Sequence, residues 1–113
     1  MSIDPKLVKI RAEIDEIDQQ ILTLINARAD CAMRVALVKQ AQMVSTGEVP
    51  VYYRPEREAQ VLARVMELNK GPLPKGEVAR IFREIMSGCL ALERPLAVGY
   101  LGPLGTFTEV AAL

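Results

Sequence analysis

Steps of three and four residues taken alternately from Leu7 land on Leu7, Ile10, Ile14, Ile17, Ile21, Leu24, Arg28, Cys31, Val35 and Val38. Nine of these ten positions are apolar, and Arg28 alone interrupts them. An apolar seam kept over several heptads predicts a long helix of coiled-coil character. Asp4 suits the N-cap and Pro5 the first helical position. Neither Gly nor Pro occurs from Lys6 to Met43, and Ser45–Pro50 (STGEVP) breaks the pattern.

A second helix is expected from Pro55. Glu56 and Glu58 lie in its first turn, where carboxylates complement the dipole, and Val61, Leu62, Val65 and Leu68 form its stripe. Asn69-Lys70-Gly71-Pro72 ends it. A third helix is expected from about Gly76 to Arg94, with Val78, Ile81, Phe82, Ile85, Cys89 and Leu92 as its stripe and Pro95 as its stop. Beyond it, Leu96–Gly102 (LAVGYLG) reads as a short apolar strand, followed by a glycine turn that opens another helix. A lone strand with an unfinished helix builds no core. The expected organisation is therefore one all-α domain of three helices over 1–95 and the start of a second domain over 96–113.

A first helix of about 40 residues is roughly 60 Å long, about twice the size of a compact domain of this length. Two shorter helices cannot cover such a rod. The seam predicts a symmetric homodimer, with the two long helices packed against each other. A plain coiled coil would also use the seam, and coiled coils do carry single polar seam residues such as Arg28.

Composition narrows the chemistry. The 113 residues hold 14 Lys plus Arg against 14 Asp plus Glu, so nothing in the net charge points to nucleic acid. The absence of histidine removes the commonest general base and metal ligand. Cys31 and Cys89 have neither disulfide-scaffold density nor metal-ligand spacing. The charged N-terminus is not a signal peptide, and no apolar run is long enough for a membrane span. A cytoplasmic protein with no nucleic-acid or membrane partner is expected.

Several polar residues sit where apolar ones belong. Arg28 and Lys39 are eleven residues apart, about three turns, so they point the same way at roughly 16 Å separation and can grip one small anion. Arg11 lies roughly 25 Å from Arg28 and about 100° around the helix, so it joins them only from an antiparallel partner. Taken alone, Arg11 and Lys39 read better as surface groups that snorkel, whereas Arg28 inside the seam favours function. Glu58 shares a face with Leu62 and Val65, but by spacing alone it reads better as a partner of the helix dipole. Glu93 ends the apolar series Ile85, Cys89, Glu93, either turned inward at a cost or frayed into solvent. An enzyme of this composition would work by electrostatics and positioning on a small anion.

These segments resemble the all-helical chorismate mutase family over roughly residues 5 to 94. The likeness rests on LVKIRAEIDEIDQQILTLINAR, on VALVK ending at Lys39, on YRPEREAQVL and on ARIFREIMSGCLALE. The tail YLGPLGTFTEVAAL resembles the opening of prephenate dehydratases, and that order is the one found in bifunctional enzymes of phenylalanine biosynthesis. The resemblance implies a type II-like intertwined antiparallel homodimer that rearranges chorismate, a dianion, to prephenate with no cofactor and no metal. It implies carboxylate clamps in Arg28 and in Arg11 of the partner chain. Lys39 resembles the cation meeting the ether oxygen, Glu93 the donor to that oxygen, and Glu58 the acceptor for the ring hydroxyl. Arg57 resembles a supporting cation. Cys89 and Arg54 stand where many relatives carry a small hydroxyl residue and Asp, respectively. A non-catalytic dimerisation or regulatory module and a pyruvate lyase acting on isochorismate are the alternatives. The presence of Arg28 and Lys39 disfavours the first, and the dehydratase-like tail disfavours the second.

Overall fold

The computed structural model describes residues 4–51 and 53–100, with residues 94–100 as backbone only. It contains three helices, α1 (Pro5–Thr46), α2 (Pro55–Leu68) and α3 (Lys75–Tyr100). The start of α1 is fixed by Asp4, whose side chain accepts from the Lys6 N–H at 2.9 Å, with Pro5 in the first turn. Its end is fixed by Gly47, which takes the left-handed conformation at φ 78° and donates its N–H to the Met43 carbonyl at 2.7 Å. A side chain at that φ would be strained, so glycine ends the helix without strain.

The α2 helix starts at Pro55 without a side-chain cap, and Glu56 and Glu58 occupy its first turn. After Leu68 the turn folds around Asn69, whose Nδ2 donates to the Leu73 carbonyl at 2.8 Å and whose Oδ1 accepts from the Gly71 N–H at 3.4 Å.

The third helix departs from expectation. Pro95 does not stop α3, and residues 96–100 are helical rather than a strand. Proline removes one hydrogen bond and crowds the carbonyl four residues back, a penalty of about 3 kcal/mol confined to one turn. A solitary strand would leave its backbone groups unpaired along both edges, whereas a helix satisfies its own. Leu101, Gly102 and the glycine turn and helix expected after them lie outside the described residues.

The α3 helix packs against both α1 and α2. Its contact with α1 uses small residues: Ala32 and Ala36 are buried one turn apart, followed at the same spacing by Gln40. Leu62 of α2 and Ala79 and Cys89 of α3 are the other buried positions among the described residues. Short side chains permit close helix approach, but they make a thin core; among the described residues no large side chain is fully buried. The radius of gyration is 19.1 Å and the longest extent 64 Å, where a compact domain of about 100 residues has a radius near 13 Å.

The protruding part is the N-terminal half of α1. Leu7, Ile10, Ile14, Ile17, Ile21 and Leu24 are all exposed, with Ile21 at 47% and Leu24 at 69%. This N-terminal part of the apolar seam read from the sequence is thus left uncovered by the described residues.

Candidate active site

One open cavity of about 620 Å³ lies where the C-terminal half of α1, the start of α2 and the middle of α3 meet. Helix α1 contributes Arg28, Cys31, Ala32, Val35 and Lys39. These positions recur at helical spacing on one face, which is why the eleven-residue separation of Arg28 and Lys39 delivers both cations to one space. Arg54, Arg57 and Glu58 enter from the α2 start, and Cys89 and Glu93 from α3. Seven of the eight residues singled out from the sequence therefore line one cavity.

Arg11 is the eighth. It is exposed on α1 and does not line the cavity. Seventeen residues of straight helix hold it about 25 Å from Arg28 along the axis.

Arg28 is anchored from the side. Its Nη1 donates to the Cys89 Sγ at 3.2 Å, across the α1–α3 contact. Lys39 Nζ donates to the Val51 carbonyl at 2.6 Å, tying α1 to the segment that leads into α2. The Arg54 guanidinium leans on Glu56 at 3.6 Å, with both side chains more than half exposed. Such an exposed pair contributes little to stability, and it leaves Arg54 at the rim.

Glu93 is the electrostatic centre of the site. Burial pushes its carboxyl above the usual carboxylate range, while the Lys39 ammonium and, less strongly, the Arg28 guanidinium pull it back. Its Oε2 is buried with no hydrogen-bond partner among the described residues. Loss of solvent penalises the charged form, so a proton is retained more readily than on an exposed glutamate. The inward reading of Glu93 fits, and end fraying does not.

Sequence reading missed Tyr53, Arg83, Met86, Ser87 and Leu90, which also line the cavity. Arg83 lies one residue past Phe82 and belongs to no apolar stripe. Only its exposed position on a helix was legible.

A helical scaffold that turns several cations and one partly buried carboxyl toward a small cavity, in a chain with no histidine, defines a class: an enzyme that binds a small anion and works through preorganised charge. The family itself follows from residues 10–94, which match the chorismate mutase type II family, and the chain belongs to it. A bifunctional chorismate mutase/prephenate dehydratase of Pseudomonas aeruginosa is 59% identical over 113 residues, covering 100% of this chain and 31% of that protein. Its namesake in Neisseria gonorrhoeae is 54% identical over 112 residues, 99% of this chain and 29% of that protein. A chorismate mutase structure (form II) from Thermus thermophilus superposes with a TM-score of 0.69 at 27% identity, over 79% of this chain and 94% of that one. Family, relatives and structural neighbour all support chorismate mutase activity, and with it the isomerase class. The chain spans about a third of the length of the curated relatives it matches. No helix among the described residues is long and apolar enough to cross a membrane.

Proposed function

We propose that this chain converts chorismate to prephenate in the α1–α2–α3 cavity. The observation that carries this reading is the convergence of Arg28, Lys39, Glu58 and Glu93 on one cavity, with a buried Glu93 oxygen left without a partner and its carboxyl biased toward the protonated form.

The reaction is a unimolecular [3,3] shift. One ether C–O bond breaks as one C–C bond forms, so neither nucleophile nor cofactor is needed. The enzyme must hold the substrate's two halves face to face, which removes the entropic part of the barrier, and stabilise the negative charge that grows on the ether oxygen. Arg28 clamps one carboxylate, for which a planar guanidinium is better suited than an ammonium. Lys39 and protonated Glu93 face the ether oxygen from two sides. Glu58 accepts from the ring hydroxyl, and Arg57 adds positive charge beside it. Cys89 and Arg54 complete the substrate contacts, Arg54 from the rim.

The second carboxylate clamp is Arg11 of a second copy. The uncovered seam from Leu7 to Leu24 supports an antiparallel homodimer. For Arg11 to reach midway between Arg28 and Lys39 of the partner, the two-fold axis passes near Ile21 and Leu22. Residues 1–95 form the mutase unit and 96–113 open a dehydratase-type domain, as the names of the relatives aligned over this whole chain suggest. A biosynthetic role of this kind belongs in the cytoplasm.

Incubation with chorismate and, separately, with isochorismate tests the reading. Loss of chorismate with matching appearance of prephenate is the expected result. Release of pyruvate from isochorismate instead would make the protein a lyase, and inertness toward both would make it a non-catalytic module.

A further inference from the structure

The cavity holds a cation to which the proposed reaction gives no task. Arg83 of α3 lines the same space as Lys39 and Glu93. Ten residues of helix, about 15 Å, separate it from Glu93, and six residues, about 9 Å, from Cys89. It therefore stands at the opposite end of the α3 wall from the Glu93 carboxyl. The residue is exposed, unlike Cys89 and Glu93.

The neighbouring arginines show what an exposed guanidinium on this chain usually does. Arg80, one turn earlier on α3, pairs with Glu77 at 2.6 Å. Arg34 pairs with Asp30 at 3.2 Å. Arg54 leans on Glu56. Arg83, by contrast, has no ion pair or hydrogen bond among the described residues. Among the described residues no carboxylate neutralises its charge, and it borders a cavity whose other cations are Arg28, Lys39, Arg54 and Arg57, against Glu58 and Glu93. The whole chain carries equal numbers of acidic and basic residues, so this surplus is local. A cleft of one sign concentrates ligands of the other and hastens their capture, in a manner that salt screens.

We infer that Arg83 is a substrate-capture residue: it draws the dianionic substrate into the mouth of the cavity and contributes to its binding, without acting on the bonds that break and form. This rests on the mutase reading of the cavity. Because its interaction is the same before and at the transition state, it lowers KM and leaves kcat alone.

The test compares the unaltered protein with Arg83→Gln, Arg83→Lys and Arg80→Gln, using chorismate over a range of ionic strength. Arg83→Gln is expected to raise KM by about three- to ten-fold at low salt with kcat within about two-fold. The difference from the unaltered protein should shrink as salt rises. Arg83→Lys restores the charge and should restore most of KM. Arg80→Gln removes an equal charge that does not face the cavity and should leave KM unchanged. An unchanged KM in Arg83→Gln, a fall in kcat at constant KM, or an equal rise in Arg80→Gln would each overturn the assignment. If the unaltered protein does not consume chorismate, the mutase reading falls and this inference with it. Normal turnover with an indifferent Arg83→Gln removes the inference alone.

Discussion

Arg28 and Cys89, 61 residues apart in the chain, meet at 3.2 Å, the arginine Nη1 donating to the thiol sulfur. Cys89 is buried, and Arg28 is partly so. A guanidinium can clamp a carboxylate bidentately only if its plane is held, and the sulfur holds one edge of it. Cys89→Ser keeps an acceptor at that place and should retain most activity. Cys89→Ala removes it and should lower kcat/KM by roughly five-fold, corresponding to about 1 kcal/mol for one hydrogen bond. Steady-state kinetics of both variants check this; equal activity of the alanine variant and the unaltered protein would show that Arg28 is oriented by something else.

The raised pKa of Glu93 sets the pH dependence. Burial is the larger influence and favours the neutral carboxyl, while Lys39 and then Arg28 oppose it. Only the protonated form can donate to the ether oxygen, so kcat/KM should be highest at acidic to mildly acidic pH. It should decline as pH rises through the raised pKa. Binding a dianion strengthens the bias toward protonation. Glu93→Gln carries a neutral donor at every working pH and should flatten the decline. A native profile that stays level into alkaline pH, or a glutamine variant that declines in parallel, would falsify the donor role. The same shift has a stability consequence of fixed sign: Glu93 favours the folded state below its unfolded pKa, and that contribution is lost as pH rises through the folded value.

Arg11 and Arg28 should act in one site while belonging to different chains. Each Arg→Ala change alone is expected to cost about 10²-fold or more in kcat/KM with helix content preserved. Mixed in equal amounts and allowed to exchange subunits, the two inactive variants should recover about a quarter of full activity, since half the dimers are mixed and each holds one intact site. Verified exchange without recovery would place Arg11 outside the site.

Ile21 is 47% exposed in the single chain and lies beside the proposed two-fold axis. Ile21→Glu would set two carboxylates against each other in an apolar seam, and an unpaired charge buried there is costly. The variant should sediment as a monomer and lose activity together with the dimer, although residue 21 touches no substrate. A fully active dimer would move the axis elsewhere.

Much of this site could be read along the chain because α1 is uninterrupted. With no Gly or Pro from Lys6 to Met43, helical geometry alone turns the numbers 28 and 39 into a shared direction. By spacing Glu93 was legible only as a carboxylate at the end of an apolar series, its donor role coming from the resemblance alone, and the burial of its Oε2 decided between inward and frayed. Arg83 was not legible, since a cation beside a stripe looks like any solvated surface group until a second helix walls off the space next to it. Pro95 misled for a related reason. Proline's local cost suggested a stop, but the apolar residues beyond it had no strand to pair with among the described residues, and the helix carried on to Tyr100.

The unbroken course of α1 from Pro5 to Thr46 makes that helix a ruler. In the proposed dimer it would store the distance and the angle between Arg11 and the Arg28–Lys39 pair, which one molecule alone does not bring together. Deleting or inserting a single residue between Arg11 and Arg28 would turn one half-site by about 100° relative to the other, whereas inserting seven would nearly restore the heading while lengthening the scale by about 10 Å. If Arg11 serves the partner's site as proposed, the length and straightness of residues 12–27 matter as much as their side chains, and the stretch calibrates a reaction that takes place elsewhere.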